Sequence, residues 1–245
     1  MVFLLTPDES HPAVLATISS QLGEGAALGF ACGFSLRFLD LPLPDDADVV
    51  MVSPKGPGAA LRERFEAGGG LPALVAVAQD RTGRALETAL SYAKAIGCGR
   101  VGIIESSFAE EAETDLFGEQ AVLCGGIPKL MEAGFETLVE AGYSPEAAYI
   151  ECIWEAKAIV DLIFRRGIEE MYGNISPAAR YGGLTRGGRV VDEHVRERMM
   201  EVLEGIRDGS FAAELLEASS GEGARPELPA ELEAAARRLR KAFGG

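Results

Sequence analysis

The chain has 245 residues, 47% hydrophobic and 25% charged, a globular balance that excludes general disorder and allows one or two domains. Acidic residues outnumber basic ones by 38 to 23, a net charge of −15, which argues against a basic nucleic-acid footprint. Apolar runs fall short of the roughly 18–20 residues of a membrane span, and the opening residues lack the basic start and apolar length of a signal peptide.

In chain order, short apolar runs predict strands over 2–5, 26–31, 48–52, 73–77 and 101–104. Amphipathic stretches between them predict helices over 12–22, 59–67 and 84–96. Buried strands with crossover helices imply an α/β layer on a largely parallel, Rossmann-like sheet. From 109 to 164 no strand is expected. The pattern there is helical, broken at Gly125-Gly126, at 142–145 and at Gly167. A looser Gly/Arg-rich segment covers 174–189, helices are expected over 192–207 and 211–218, and a polar linker over 219–229 precedes a last helix over 230–243. The expected division is an incomplete nucleotide-binding domain over 1–106 and an all-α domain over 107–245. No repeat of fixed period is present. Cys32, Cys98, Cys124 and Cys152 form no CxxC pair, so free thiols in a cytoplasmic protein are expected.

No GxGxxG motif is present. Gly23-x-Gly25 and the run Gly68-Gly69-Gly70 neither follow a strand nor open a helix, and read as turns. In the helical half, Asp115 and Glu119 are four apart, as are Glu151 and Glu155. That spacing puts each pair on one α-helix face, where like charges repel unless a cation lies between them. Both pairs have apolar neighbours, which predicts burial, and buried carboxylates need a partner. Four such oxygen donors suit Mg²⁺ or Mn²⁺, and a pair of such ions about 3.5–4 Å apart can clamp an oxygen-rich substrate. The other reading is a solvated acidic face, as expected for Glu132, Glu136 and Glu140. Lys55, in Ser53-Pro-Lys-Gly-Pro-Gly58, follows a strand, where α/β ligand sites form; a plain surface lysine is the alternative. His11 and His194 show no ligand spacing and receive no catalytic role on chemistry alone. No nucleophile motif such as GxSxG occurs.

The stretch Glu113-Thr-Asp115-Leu-Phe-Gly-Glu119-Gln-Ala-Val-Leu-Cys124-Gly-Gly126 resembles the metal-binding signature of ketol-acid reductoisomerase (acetohydroxyacid isomeroreductase). Gly134 to Tyr143, Glu151-Cys-x-x-Glu155-x-Lys157, Ile175-Ser176-x-x-Ala179, Pro54-Lys-Gly-Pro-Gly58 and Pro72 to Val77 extend the likeness. It covers nearly the whole chain, most closely over 47–182, and resembles the shorter of the family's two length classes. The resemblance implies that Asp115 and Glu119 ligate two Mg²⁺ ions. It implies that Glu151 and Glu155 complete the site from the partner subunit of a homodimer. Lys55, Glu155 and the position held by Cys32 form the implied catalytic set. Ser176, with Ile175, Ala179, Pro57 and Cys124, would contact substrate. Thr6, Pro7, Asp8, Glu9, Ser10, His11 and Gly58 would lie beside NADPH. The implied reaction is a Mg²⁺-dependent alkyl shift in 2-acetolactate or 2-aceto-2-hydroxybutyrate, followed by hydride transfer from NADPH.

Three departures separate the chain from the family pattern. It begins midway through the family's nucleotide domain, without the opening strand, the glycine-rich turn or the 2′-phosphate loop. An open sheet edge with exposed apolar surface is therefore expected. Cys32 stands where the family has histidine, and a thiol is a weak hydrogen-bonding group. Arg180 and Gly183 replace acidic residues. The metal-dependent isomerisation is thus expected of this chain, and the NADPH step is not expected of it alone. The alternative is a non-catalytic or complementing subunit that pairs with another reductoisomerase chain or with a separate nucleotide-binding chain.

Overall fold

The structure is a computed structural model that describes residues 1–218 and 228–243; the expected linker over 219–229 lies almost wholly outside the described residues. The elements in order are β1 (Val2–Leu4), α1 (His11–Ile18), β2 (Ala27–Phe30), α2 (Phe34–Phe38), β3 (Asp48–Pro54), α3 (Gly58–Glu66), β4 (Ala73–Gln79), α4 (Ala85–Ala95), β5 (Ile103–Glu105) and α5 (Phe108–Phe117). Then come α6 (Gly126–Glu140), α7 (Pro145–Tyr149), α8 (Ala156–Gly173), α9 (Pro177–Val190), α10 (Glu193–Arg207), α11 (Ser210–Ala218) and α12 (Ala230–Phe243). The expected order, an α/β layer and then helices, is what forms. Two compact units result: Met1–Leu116 with the stretch from Gly205 that includes α11, and Phe117–Glu204 with α12.

In the first unit the strands lie side by side as β1-β2-β3-β4-β5. Three of the four pairings are parallel, and β3 with β4 is antiparallel. Pro54 pairs with Ala73 and Val49 with Gln79, so α3 and its flanking loops connect neighbouring strands at one end of the sheet. Hydrophobic runs carry no direction, which is why the sequence pattern does not show this reversal. β3 is covered on both faces. Val49 and Met51 belong to a cluster with Leu4, Leu15, Leu28 and Phe30, while Val50 and Val52 meet Val75, Ala85, Ala89 and Ala93. The period of two sends alternate residues to opposite faces, and both being apolar makes the run continuous. Ala85, Ala89 and Ala93 recur every four residues, a smooth stripe on which α4 meets β3 and β4.

β1 forms one edge of the sheet, and Leu5 just beyond it is 71% exposed. In the second unit Phe135, Ala148 and Tyr149 pack with Leu232, Ala235, Ala236 and Leu239 of α12. The expected breaks at 142–145 and Gly167 are present: Gly142 and Gly167 have φ of 91° and 83°, and Ser144 caps α7 ahead of Pro145. The segment expected to be loose, 174–189, is instead mostly the helix α9. Ser176 caps it by accepting from Ala179 N–H at 3.2 Å, and Pro177 occupies the first turn. Cap and proline start the helix where glycine content alone argues against one. The short helix α2 carries no sequence signal of its own.

Asp48 opens β3 and is buried, accepting from Arg81 N–H at 2.7 Å, Thr82 N–H at 3.0 Å and Thr82 Oγ1 at 2.7 Å. Burial pushes its carboxyl pKa up, but the bonds from Thr82 and Arg81 outweigh that and hold it below the usual value. Asp48→Ala is expected to cost roughly 1–3 kcal/mol, because it strands two backbone donors. The carboxylate's contribution is complete above the free aspartate range near pH ~4. It is lost as pH falls through the lower folded value. Urea titrations should therefore show the gap between wild type and Asp48→Ala constant from pH 7 to 5 and closing below ~4. A gap independent of pH would contradict this.

Candidate active site

The carboxyl ends of β1, β2 and β3 carry three segments: 6–11, 31–35 and Lys55. Alongside them α5 presents Glu111 and Asp115, four residues apart on one helix face. Glu111 is wholly buried. It accepts three hydrogen bonds, from Gly33 N–H at 2.5 Å, Ser53 Oγ at 2.6 Å and Lys55 Nζ at 2.6 Å. Lys55 also donates to Asp115 Oδ1 at 2.8 Å. Burial lowers the pKa of the Lys55 ammonium, but its bonds to Asp115 and Glu111 outweigh that and raise it, so the ion stays charged. Asp115 remains 38% exposed on its side chain. The cation between the carboxylates of α5 is the partner that their spacing demands. Glu111 was not singled out in the sequence: its neighbours Glu110 and Glu113 look the same, and burial alone separates it from them. Arg37, bonded to Glu113 at 2.9 Å and to the Arg207 carbonyl at 2.8 Å, ties α2 to α5 nearby.

Gly33 allows this arrangement. A Cβ there would lie 2.1 Å from the Phe108 carbonyl oxygen, so only glycine brings the turn close enough to give its N–H to Glu111. Cys32 in the same turn is half-buried, with Sγ 3.7 Å from both Asp8 oxygens. Burial, then the Asp8 charge, push its thiol pKa up to about 12. At neutral pH it is a thiol and neither base nor nucleophile. Of the cofactor candidates, Thr6 to His11 form the loop and 3₁₀ turn after β1, with Ser10 Oγ bonded to the Pro7 carbonyl at 2.6 Å. Gly58 opens α3 and lines an apolar cavity of about 340 Å³ with Phe3, Ala31, Val52 and Tyr92. Pro57, just before it, is exposed.

The two acidic pairs differ from the α-helical expectation. Asp115 lies in the last turn of α5, and Glu119 in a π-helical turn that follows it (Gly118–Leu123). Glu151 lies in a second π-helical turn (Ile150–Trp154), and Glu155 directly after it. The i to i+5 bonds are explicit: Cys124 N–H to the Glu119 carbonyl at 2.8 Å and Glu155 N–H to the Ile150 carbonyl at 3.0 Å. Such turns are rare and concentrate at functional sites. Glycine at 125 suits the first: a Cβ there would stand 2.0 Å from the Gln120 carbonyl oxygen. The expected burial of these carboxylates is not found. Glu119, Glu151 and Glu155 are exposed and Asp115 is partly so, as are their apolar neighbours Leu123 and Trp154. Apolar neighbours predict a covered helix, yet Leu123 and Trp154 stay exposed, Trp154 with the Phe243 ring edge-on at 5.4 Å. Among the described residues no three His, Cys, Asp or Glu side chains gather closely enough to hold a metal ion. Of the substrate candidates, Ser176 and Ala179 are exposed and joined by the cap of α9, Ile175 is half-buried, and Cys124 is exposed.

The family model of the ketol-acid reductoisomerase C-terminal domain matches residues 108–242, more than half of the chain. The chain belongs to the ketol-acid reductoisomerase family. The model of the acetohydroxy acid isomeroreductase NADPH-binding domain matches residues 1–102. A ketol-acid reductoisomerase (NADP(+)) from Haloarcula marismortui is 52% identical over 213 residues, 87% of this chain and 61% of that protein. The chain thus spans less than two thirds of that relative's length. A solved NADH-preferring ketol-acid reductoisomerase from an uncultured archaeon superposes with a TM-score of 0.91 at 41% identity, over 100% of this chain and 76% of that one. A semialdehyde dehydrogenase NAD-binding protein from Cupriavidus necator shares the fold at 20% identity, with a TM-score of 0.60 over 84% of this chain and 77% of that one. Among the described residues no helix is long and apolar enough to cross a membrane.

Glu111→Ala removes the acceptor of three donors and leaves Lys55 with Asp115 alone. A loss of stability on the order of 3 kcal/mol is expected in urea denaturation. Gly33→Ala should also destabilise, since backbone rather than a flexible side chain must give way. Near-neutral values for both would show that the network is loosely held.

Proposed function

We propose that the chain carries the metal-assisted chemistry of its family, an alkyl shift in a 2-hydroxy-2-alkyl-3-oxo acid of the 2-acetolactate type, followed by hydride reduction at a nicotinamide cofactor, NADPH. The observation that carries this reading is Lys55, clamped between buried Glu111 and half-open Asp115. Asp115 and Glu119 offer hard oxygen donors of the kind that Mg²⁺ takes, and Asp115 is bonded to a cation already paired with Glu111. Glu151 and Glu155 would complete the set from the second subunit of a homodimer, which accords with their exposure on an apolar helix surface. When bound, Mg²⁺ supplies Lewis acidity and lowers the pKa of a bound hydroxyl.

The chain's own residues supply the rest. An ammonium has three protons, and Glu111 and Asp115 take two. The third would serve a substrate oxygen that gains negative charge as the alkyl group moves. Glu111 holds both Lys55 and the 32–34 turn, so it positions rather than reacts. Ser176, at the start of α9, would meet the substrate carboxylate with Ile175, Ala179, Pro57 and Cys124. Glu155, Lys55 and the Cys32 position make up the proposed catalytic set. Thr6 to His11 and Gly58 would line the dinucleotide, with residues 1–106 as the nucleotide-facing domain and 107–245 as the helical one.

A second reading, a subunit that completes or pairs with another reductoisomerase chain, is favoured by β1 at the sheet edge with the apolar cavity beside it.

The test is a product assay on purified protein with Mg²⁺ and 2-acetolactate, with and without NADPH, resolved by mass spectrometry. Rearranged keto acid, or reduced dihydroxy acid once NADPH is added, is expected. Glu119→Gln and Lys55→Met should each lower turnover by roughly a hundredfold or more. No product in either condition would overturn the stand-alone enzyme and leave the paired subunit.

A further inference from the structure

Ser35, in the first turn of α2 directly after the Gly33 N–H that meets Glu111, belongs to a second polar chain. Its hydroxyl lies 2.6 Å from His11 Nδ1 and 2.5 Å from Asp8 Oδ1. The other ring nitrogen of His11, Nε2, lies 3.0 Å from the Thr6 carbonyl oxygen. His11 and Ser35 are buried, whereas the Asp8 side chain is 32% exposed. We propose that Asp8, Ser35 and His11 form a proton relay, with one proton stored on His11 and an outlet at Asp8.

The argument is a count of hydrogens. A carbonyl oxygen only accepts, so Nε2 carries a hydrogen. Ser35 has one hydroxyl hydrogen and two short contacts, to a ring nitrogen and to a carboxylate oxygen. If the hydroxyl donates to Asp8, Nδ1 must bring its own hydrogen, and the ring is an imidazolium. If it donates to Nδ1, Asp8 must bring the hydrogen as a carboxylic acid. Either way the three groups hold one proton more than a neutral imidazole and an ionised carboxylate. Ser35 Oγ donates to Asp8 Oδ1, so Nδ1 brings the hydrogen and the resting place is His11.

The two arrangements interconvert when both protons move along their bonds, from Nδ1 to Oγ and from Oγ to Oδ1, with every heavy atom in place. The proton then stands on Asp8. The other groups around the relay do not compete for it. The Cys32 thiol beside Asp8 keeps its own proton, the Phe30 ring meets the imidazole edge-on at 5.7 Å, and the Glu111 charge is taken up by Lys55.

The relay deepens the proposed reduction and rests on that reading for its use. Hydride transfer from the reduced nicotinamide to a keto carbon leaves an alkoxide, which takes one proton to become the alcohol. The stored proton passes from His11 through Ser35 to Asp8, Asp8 hands it to the alkoxide, and a proton from water restores His11. The Cys32 thiol beside Asp8 holds its proton too tightly to serve this purpose.

The test needs no substrate for its first part. The protein has two histidines, His11 and exposed His194, so ¹⁵N-histidine labelling gives two ring systems to assign. Proton-detected NMR of the wild type at pH 7 is expected to show hydrogens on both ring nitrogens of His11. Asp8→Asn and Ser35→Ala are each expected to leave a single hydrogen, on Nε2. One ring hydrogen in the wild type, whether or not Asp8 is protonated, overturns the proposal. In turnover with NADPH, Ser35→Ala should lower kcat by roughly a hundredfold, leave KM little changed and enlarge the solvent isotope effect. A wild-type imidazolium with unaltered kcat in Ser35→Ala would leave a structural ion pair and overturn the relay. A wild-type imidazolium with no reductase activity at all would count against the proposed function and not against the stored proton.

Discussion

A carboxylate with no access to water must be met by donors, and Glu111 is met by three. Each comes from a different place: the turn after β2, the end of β3, and the lysine that follows it. One side chain on α5 therefore sets the positions of segments that the chain spaces tens of residues apart. Remove it, and Lys55 loses its anchor, Ser53 its acceptor and the Cys32–Gly33 turn its reason to lie against α5. The cost of burying the charge is high, and the lysine ammonium is what makes it sustainable. The same ammonium reaches Asp115, so the structural anchor and the proposed catalytic cation are one group.

The sheet serves this arrangement. β3 is apolar on both faces and packs against layers above and below, so its end at Pro54 is rigidly placed. Lys55 leaves from that end. The antiparallel return to β4 holds the intervening α3 at one end of the sheet, next to the cavity lined by Gly58 and Phe3. Polar groups then cluster where strands end because backbone donors and loop side chains are available there and the sheet interior offers none.

The second unit carries its carboxylates differently. Two π-helical turns widen the backbone where Glu119 and Glu151 sit, and both carboxylates are exposed together with Val122, Leu123 and Trp154, while Ile150 and Ile153 pack inward. An apolar surface studded with carboxylates gains nothing by itself in water. It gains once another surface and a cation cover it, which is the physical basis of the proposal that two subunits share a metal there.

Much of this was legible in the residues. Apolar runs placed five strands to within a residue or two, and the motif around Asp115 and Glu119 carried the family. Local signals govern such features: period, caps, and residue types that a metal demands. Other features depend on what lies across the fold. Strand direction at β4, the π-turns, the exposure of the acidic pairs and the role of Glu111 leave no mark in local pattern. Glu111 differs from Glu110 and Glu113 only by what surrounds it, and His11 acquires a role only because Ser35 and Asp8 fold against it. The sequence by itself determined the elements, the family and the inventory of donors. The tertiary structure alone decided which donors share protons and charge, because burial and hydrogen bonding act through space and not along the chain.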